Sequence, residues 1–182
     1  FGWTSDEAMS FRTLDSFVDA GFNLVDTADA YSRWVPGHTG GESEQIIGRW
    51  LAARGPAMRE RVIIATKVGL EMGPGESGLS RGYILRAVDR SLQRLQTDYV
   101  DLYQLHSPER NQPMFGQWQF DPKNEREGTP IREQLEALGE LVKEGKIRHV
   151  GVSNEHPWGI MEFTRLADEL GLPRIVSTQN AY

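Results

Sequence analysis

Short, nearly continuous apolar runs alternate along this chain with longer segments whose apolar residues recur every three or four positions. The runs at 22–27, 62–68, 99–105, 150–153 and 174–179 are too short for helices, and the pattern predicts strands. Between them lie helical stripes. Leu14, Phe17 and Val18 follow an N-cap expected at Thr4 or Ser5 and precede Gly21, which suits a left-handed helix stop. Ile46, Ile47, Trp50 and Leu51 follow Ser43 as expected cap and end at Gly55-Pro56. Ile84, Leu85, Val88, Leu92 and Leu95 form a third stripe behind Ser80. Thr129-Pro130 reads as a cap followed by proline in the first turn, before Leu135, Leu138, Leu141 and Val142. Ile160, Phe163, Leu166, Ala167 and Leu170 make the last stripe, closed by Gly171.

Strict alternation of buried strands with amphipathic helices points to an α/β fold with parallel strands. A doubly wound dinucleotide fold calls for GxGxxG after the first strand, and the glycine-rich stretch Gly37-His38-Thr39-Gly40-Gly41 lacks that spacing. A (β/α)8 barrel instead places its chemistry at the C-terminal ends of several strands, where this chain has Asp26, Lys67, His106, Ser153-Asn154 and Gln179. The barrel is therefore the expected architecture, in one domain over residues 1–182. It is expected to be incomplete, because a full barrel has eight strands and typically about 250 residues. Such a piece would expose two sheet edges and favour association.

Lys67 stands within the apolar run Ile63-Ile64-Ala65-Thr66-Lys67-Val68, where an unpaired ammonium is costly, so it demands a carboxylate partner or a chemical task. Asp26, Tyr31 and His106 lie at or just beyond the ends of neighbouring strands. Singly, each has an ordinary explanation: a turn acid, a half-buried aromatic, a strand-end imidazole bonded to backbone, and for Lys67 a structural ion pair with Asp26. Their succession on consecutive strands favours a shared site.

Composition narrows the classes. At 38% hydrophobic and 25% charged the chain is that of a globular protein, and no apolar run approaches the length of a membrane span. Zero cysteines exclude disulfides and thiolate chemistry and suit a reducing, cytoplasmic setting. A net charge of −6 disfavours general attraction to nucleic acid, and His38, His106, His149 and His156 show no metal-binding spacing.

The chain resembles the aldo-keto reductases. The matching segments are Gly21 through Tyr31 with its Asp26-Thr27-Ala28-Asp29-Ala30-Tyr31, Gly41-Glu42-Ser43-Glu44, Ala65-Thr66-Lys67, Asp98 through His106, Gly145-Lys146-Ile147-Arg148, Gly151-Val152-Ser153-Asn154 and Gln179-Asn180. Pro173-Arg174-Ile175-Val176 and the long stretch after His106 are similar to a bacterial NADP(H)-dependent subgroup. The resemblance implies strands two to six of the barrel, with the first and last two strands absent. It implies NADPH bound across the C-terminal mouth and reduction of a small aldehyde or ketone to an alcohol. It assigns Asp26, Tyr31, Lys67 and His106 to catalysis, with Tyr31 as proton donor, Lys67 beside it, Asp26 orienting Lys67, and His106 holding the substrate oxygen. It places Ser153, Asn154 and Gln179 against the nicotinamide carboxamide. The family's phosphate-gripping segments follow the sixth strand, so this chain by itself is expected to bind NADPH weakly.

Two loops, 32–40 with Trp34 and His38 and 107–129 with Phe115, Trp118 and Phe120, are expected to wall the substrate pocket. Two other functions compete with carbonyl reduction: a cofactor-binding regulatory subunit with little turnover, and an aldolase-like barrel in which Lys67 forms a Schiff base.

Overall fold

The computed structural model describes residues 1–181. Its elements run α1 (Glu7–Asp19), β1 (Leu24–Asp26), α2 (Glu42–Arg54), α3 (Pro56–Arg61), β2 (Ile63–Val68), α4 (Arg81–Leu95), β3 (Val100–Leu105), α5 (Ile131–Lys143), β4 (Ile147–Ser153), α6 (Pro157–Leu170) and β5 (Ile175–Gln179). The five strands are all parallel and lie in the order β1-β2-β3-β4-β5. Spatial order thus follows chain order without the reversal that marks a doubly wound sheet. The sheet curls into a half-barrel with helices on its convex side, as expected of an incomplete (β/α)8 barrel.

Period-two alternation assigns each strand residue a side. Val25, Ile64, Val68, Tyr103, Leu105, Val150 and Val152 are buried in the core, with Leu14, Ile47, Trp50, Ile84, Val88, Leu138 and Phe163 among the helical residues there. Leu24 and Ile63 pair in register on the concave side and are 52% and 40% exposed, at the edge where β1 has no further neighbour. No helix of the described residues is long and apolar enough to cross a membrane.

Local chemistry moves several expected boundaries. Asp6, not Thr4 or Ser5, caps α1, its carboxylate accepting from the Met9 N–H at 2.7 Å. Ser43 lies inside α2 and accepts from the Thr27 hydroxyl at 2.9 Å, while Gly41, at φ +87°, occupies the cap. A side chain at Gly41 would also meet the Arg94 guanidinium. Ser80 caps α4 without its side chain, and α5 begins at Ile131 with Pro130 in the cap, the Thr129 N–H donating to Glu109 instead. Gly55-Pro56 ends α2 and also starts the short α3, since proline suits a first turn whose N–H groups have no helical partner.

That unexpected helix carries Arg59, which donates to the Val62 and Tyr99 carbonyls and to Asp101. Asp101 is buried and also accepts from Arg148 and from the Ile64 N–H. The two guanidiniums lie 3.9 and 4.0 Å from the centre of the Tyr99 ring, so a charged staple joins β2, β3 and β4 at their N-terminal ends.

The contact between α2 and α4 needs a glycine. A Cβ on Gly48 of α2 would overlap the backbone of Arg94 and Leu95 in α4. Gly48→Ala is expected to destabilise the fold by at least the about 1–3 kcal/mol usual for overpacking, because backbone cannot rotate away. Urea unfolding measures it, and an unchanged midpoint would show that the helices separate freely.

Candidate active site

The same alternation that buries the convex face points Asp26, Lys67, Gln104, His106, Ser153 and Gln179 to the concave side. Register then brings them together: Asp26 pairs with Ala65, Lys67 with Gln104, and Ser153 with Gln179. Lys67 is 1% exposed, and its Nζ donates to Asp26 Oδ1 and Oδ2 at 2.8 and 2.7 Å, to the Thr27 carbonyl at 2.9 Å and to the Tyr31 hydroxyl at 2.9 Å. Three ammonium hydrogens are therefore matched by three groups that accept.

Tyr31 reaches this point because the turn after β1 continues the ladder. The Thr27 and Asp29 N–H groups donate to the Ala65 and Lys67 carbonyls at 2.8 and 3.2 Å. The Tyr31 hydroxyl in turn donates to Asp26 Oδ2 at 3.5 Å, a long bond that a closer acceptor can replace. His106 follows β3, its N–H on the Val68 carbonyl at 2.8 Å and its ring edge-on to Tyr31 at 5.8 Å. Burial pushes the imidazole down to about 4, with the Lys67 charge adding to the effect and Asp26 opposing it. The ring is therefore neutral at pH 7, and its buried Nδ1 has no hydrogen-bond partner.

The second group of expected residues sits on the adjoining strand ends. The Ser153 hydroxyl donates to the Gln179 carbonyl at 2.9 Å. Asn154, at φ +53°, donates its amide to the His106 carbonyl at 2.8 Å and to Ser153 Oγ at 3.1 Å, leaving Oδ1 for another donor. Its left-handed backbone is pinned by the Gln112 amide, which donates to the Asn154 carbonyl at 2.7 Å. The Gln179 side chain lies on the open side, its Oε1 3.5 Å from Gln104 Nε2.

Gln104 links the groups and was not expected. It is buried, and its Nε2 also lies 3.4 Å from Asp26 Oδ1. Its signal in the sequence is an amide in an apolar run two residues before His106, hence on the same face. Gly151 opposite makes its space: a Cβ there would come within 3.1 Å of Gln104 Cγ and 2.5 Å of Ser177 Oγ. Glu44 was missed as well. Fully buried behind β2, it accepts from Thr66 and from Arg94, each at 2.6 Å, and ties α2 and α4 to the strand that carries Lys67.

The aromatic residues of the loops divide. Trp34 packs edge-on against Tyr31 at 6.1 Å and against Trp3 at 5.5 Å, beside the site. Phe115 and Trp118 line a cavity of about 400 Å³ that adjoins the second group through Asn154, with His156 and Asn180, and Trp118 is 94% exposed. Phe120 is exposed further along the loop.

The profile of the Aldo/keto reductase family matches residues 1–182. This chain belongs to that family. It is similar to Protein tas of Escherichia coli (strain K12), 40% identical over 188 aligned positions covering 100% of this chain and 54% of that protein. The uncharacterized oxidoreductase YrpG of Bacillus subtilis (strain 168) is 35% identical over 188 positions, covering 100% of this chain and 51% of its own length. The aldo-keto reductase YhdN of the same strain is 38% identical over 152 positions, 82% of this chain and 38% of that protein. The chain thus spans about half the length of the first two relatives.

Two outcomes follow for this member of the family. Asp26→Asn keeps one acceptor oxygen but removes the charge that offsets the Lys67 ammonium. Asp26 is 34% exposed, so the expected loss lies at or below the low end of the about 3–5 kcal/mol typical of breaking a buried pair. Urea denaturation reads it, and no loss would mean that Lys67 does not need the carboxylate. His106 should titrate near 4 by NMR. Because its folded value is lowered from about 6.5, its contribution to stability is present above that pH and is lost as pH falls towards 4. His106→Gln should flatten that slope, and a folded value near 6.5 would contradict the burial argument.

Proposed function

We propose that this chain carries the proton-donating centre of an NADP(H)-dependent aldo-keto reductase that converts aldehydes or ketones to alcohols in the cytoplasm. The observation that carries the reading is the set of contacts at Tyr31. Its oxygen accepts from Lys67 at 2.9 Å, its hydroxyl donates only a long 3.5 Å bond to Asp26, and its ring stands edge-on to His106, so a substrate oxygen placed beside His106 would offer the hydroxyl a closer acceptor.

The residues fit a nicotinamide. Its carboxamide needs a donor and an acceptor, which Asn154 Oδ1 and the Gln179 amide offer on neighbouring strand ends, with Ser153 holding the Gln179 carbonyl. The phosphorylated form, NADPH, follows from the resemblance. When bound, the reduced nicotinamide supplies the hydride that the carbonyl carbon receives. As the C=O double bond becomes single, negative charge grows on oxygen, and Tyr31 transfers its proton there. Lys67 then stabilises the phenolate left behind, while Asp26 and the Thr27 carbonyl keep the ammonium aimed. Neutral His106 can donate a hydrogen bond to the substrate oxygen without competing as a cation.

The same contacts weigh against a Schiff base, because an amine with all its hydrogens donated as an ammonium has no lone pair to attack a carbonyl. A merely cofactor-binding role has no use for a phenol, an ammonium and a carboxylate so joined.

In the whole protein, Tyr31→Phe removes one hydroxyl and should lower kcat for an aromatic aldehyde by about 10²–10⁴-fold while NADPH still binds. NADPH absorbance measures turnover and fluorescence titration measures binding. An undiminished rate would remove Tyr31 from the chemistry.

A further inference from the structure

The turn over residues 27–31 has two sides. Tyr31 faces Lys67 in the concave site, whereas Asp29 points into the helical layer behind the sheet, 2% exposed. There it lines a cavity of about 210 Å³ with Gly40, Glu76, Tyr83, Arg90 and Arg94. Asp29 Oδ1 has no hydrogen-bond partner, and neither do the buried hydroxyls of Tyr83 and Tyr103.

The charges facing Asp29 are Glu44 from α2, Arg90 and Arg94 from α4, and Glu76 from the loop before α4; the phenols are Tyr83 from α4 and Tyr103 from β3. Both arginines are committed elsewhere, Arg94 to Glu44 at 2.6 Å and Arg90 to Glu76 at 2.5 Å. Asp29 is left as an acid without a counter-ion of its own, beside a second carboxylate. Its backbone, meanwhile, is the point at which the Tyr31 turn is strung to the Lys67 carbonyl, at 3.2 Å. The buried carboxyl and this attachment thus belong to one residue.

We propose that Asp29 is a positioning residue: its protonated carboxyl seats the 27–31 turn, and its ionisation draws Tyr31 out of register with Lys67. Burial pushes this carboxyl up to about 7; Glu44 pushes the same way, while Arg94, the Ala30 N–H and Arg90 oppose. Between about pH 4, where the unfolded chain releases the proton, and about 7, the folded chain still holds it. The stabilising effect is therefore fully present at the lower pH and is lost as pH rises through about 7. The consequence for turnover rests on the carbonyl-reduction reading, but the effect on Tyr31 does not.

His106 supplies the readout, because its ring faces Tyr31 at 5.8 Å and its own titration lies far lower, near 4. In the whole protein, the His106 ring signals in proton NMR should show an inflection near pH 7, and kcat for an aromatic aldehyde should fall through the same range. Asp29→Asn, which cannot ionise, should abolish both inflections. Should that variant fail to fold, Tyr83→Phe removes a phenol from the same cavity and should move the NMR inflection to higher pH. An inflection absent from the parent, persisting in Asp29→Asn, or unmoved in Tyr83→Phe overturns the proposal. So does a stability slope that vanishes in Asp29→Asn while the His106 signals match the parent at every pH, for that is a structural role alone. A parent that shows the inflection but reduces no carbonyl sinks the reductase reading and leaves the coupling of Asp29 to Tyr31 supported.

Discussion

An ammonium that is 1% exposed imposes the strictest condition in this structure. A charge removed from water is tolerable only with opposite charge and a full set of acceptors around it, and Lys67 obtains both from the first strand and the turn that follows. Asp26 has to end β1, the Thr27 carbonyl has to face inward, and Tyr31 has to come back over the site five residues after Asp26. The β1–β2 register and the continued ladder through Thr27 and Asp29 make that possible.

This constraint spreads outward in layers. The strand that carries Lys67 is held from behind by Thr66, whose hydroxyl reaches Glu44, and Glu44 in turn holds Arg94. Those bonds require α2 and α4 to approach closely, which Gly41 and Gly48 permit. On the concave side Gln104 spans the distance between Asp26 and Gln179, and Gly151 clears its path. At the other end of the strands the Arg59–Asp101–Arg148 staple keeps β2, β3 and β4 aligned. The candidate site at the C-terminal mouth and the charged staple at the opposite end are thus separated along the strands, as site and stability are in barrels generally.

The site is also two sites in contact. Asp26, Tyr31, Lys67 and His106 gather around one buried ammonium, and Ser153, Asn154 and Gln179 form an amide-rich group beside them. The Asn154 amide bonded to the His106 carbonyl, together with Gln104, is the physical join. Gln112 and the Arg110–Glu155 pair tie the loop after β3 to the turn after β4.

Much of this was legible in the residues alone. Alternation of buried strands with amphipathic stripes determined a parallel, helix-covered sheet, and a lysine inside an apolar run determined that an acceptor had to lie nearby, because burial energies depend little on which fold supplies the partner. Tertiary structure alone decided which caps are used, that Pro56 opens a helix as well as ending one, and that Gln104, Glu44 and Asp29 are buried polar groups in different surroundings. The reason is that a cap, an amide or an acid is recognised by partners distant in sequence. Glu44 meets Thr66 and Arg94 across 22 and 50 residues, and Gln104 meets Asp26 across 78. Periodicity shows which way a side chain faces, but only the register of neighbouring strands and the crossing of helices show what it meets there.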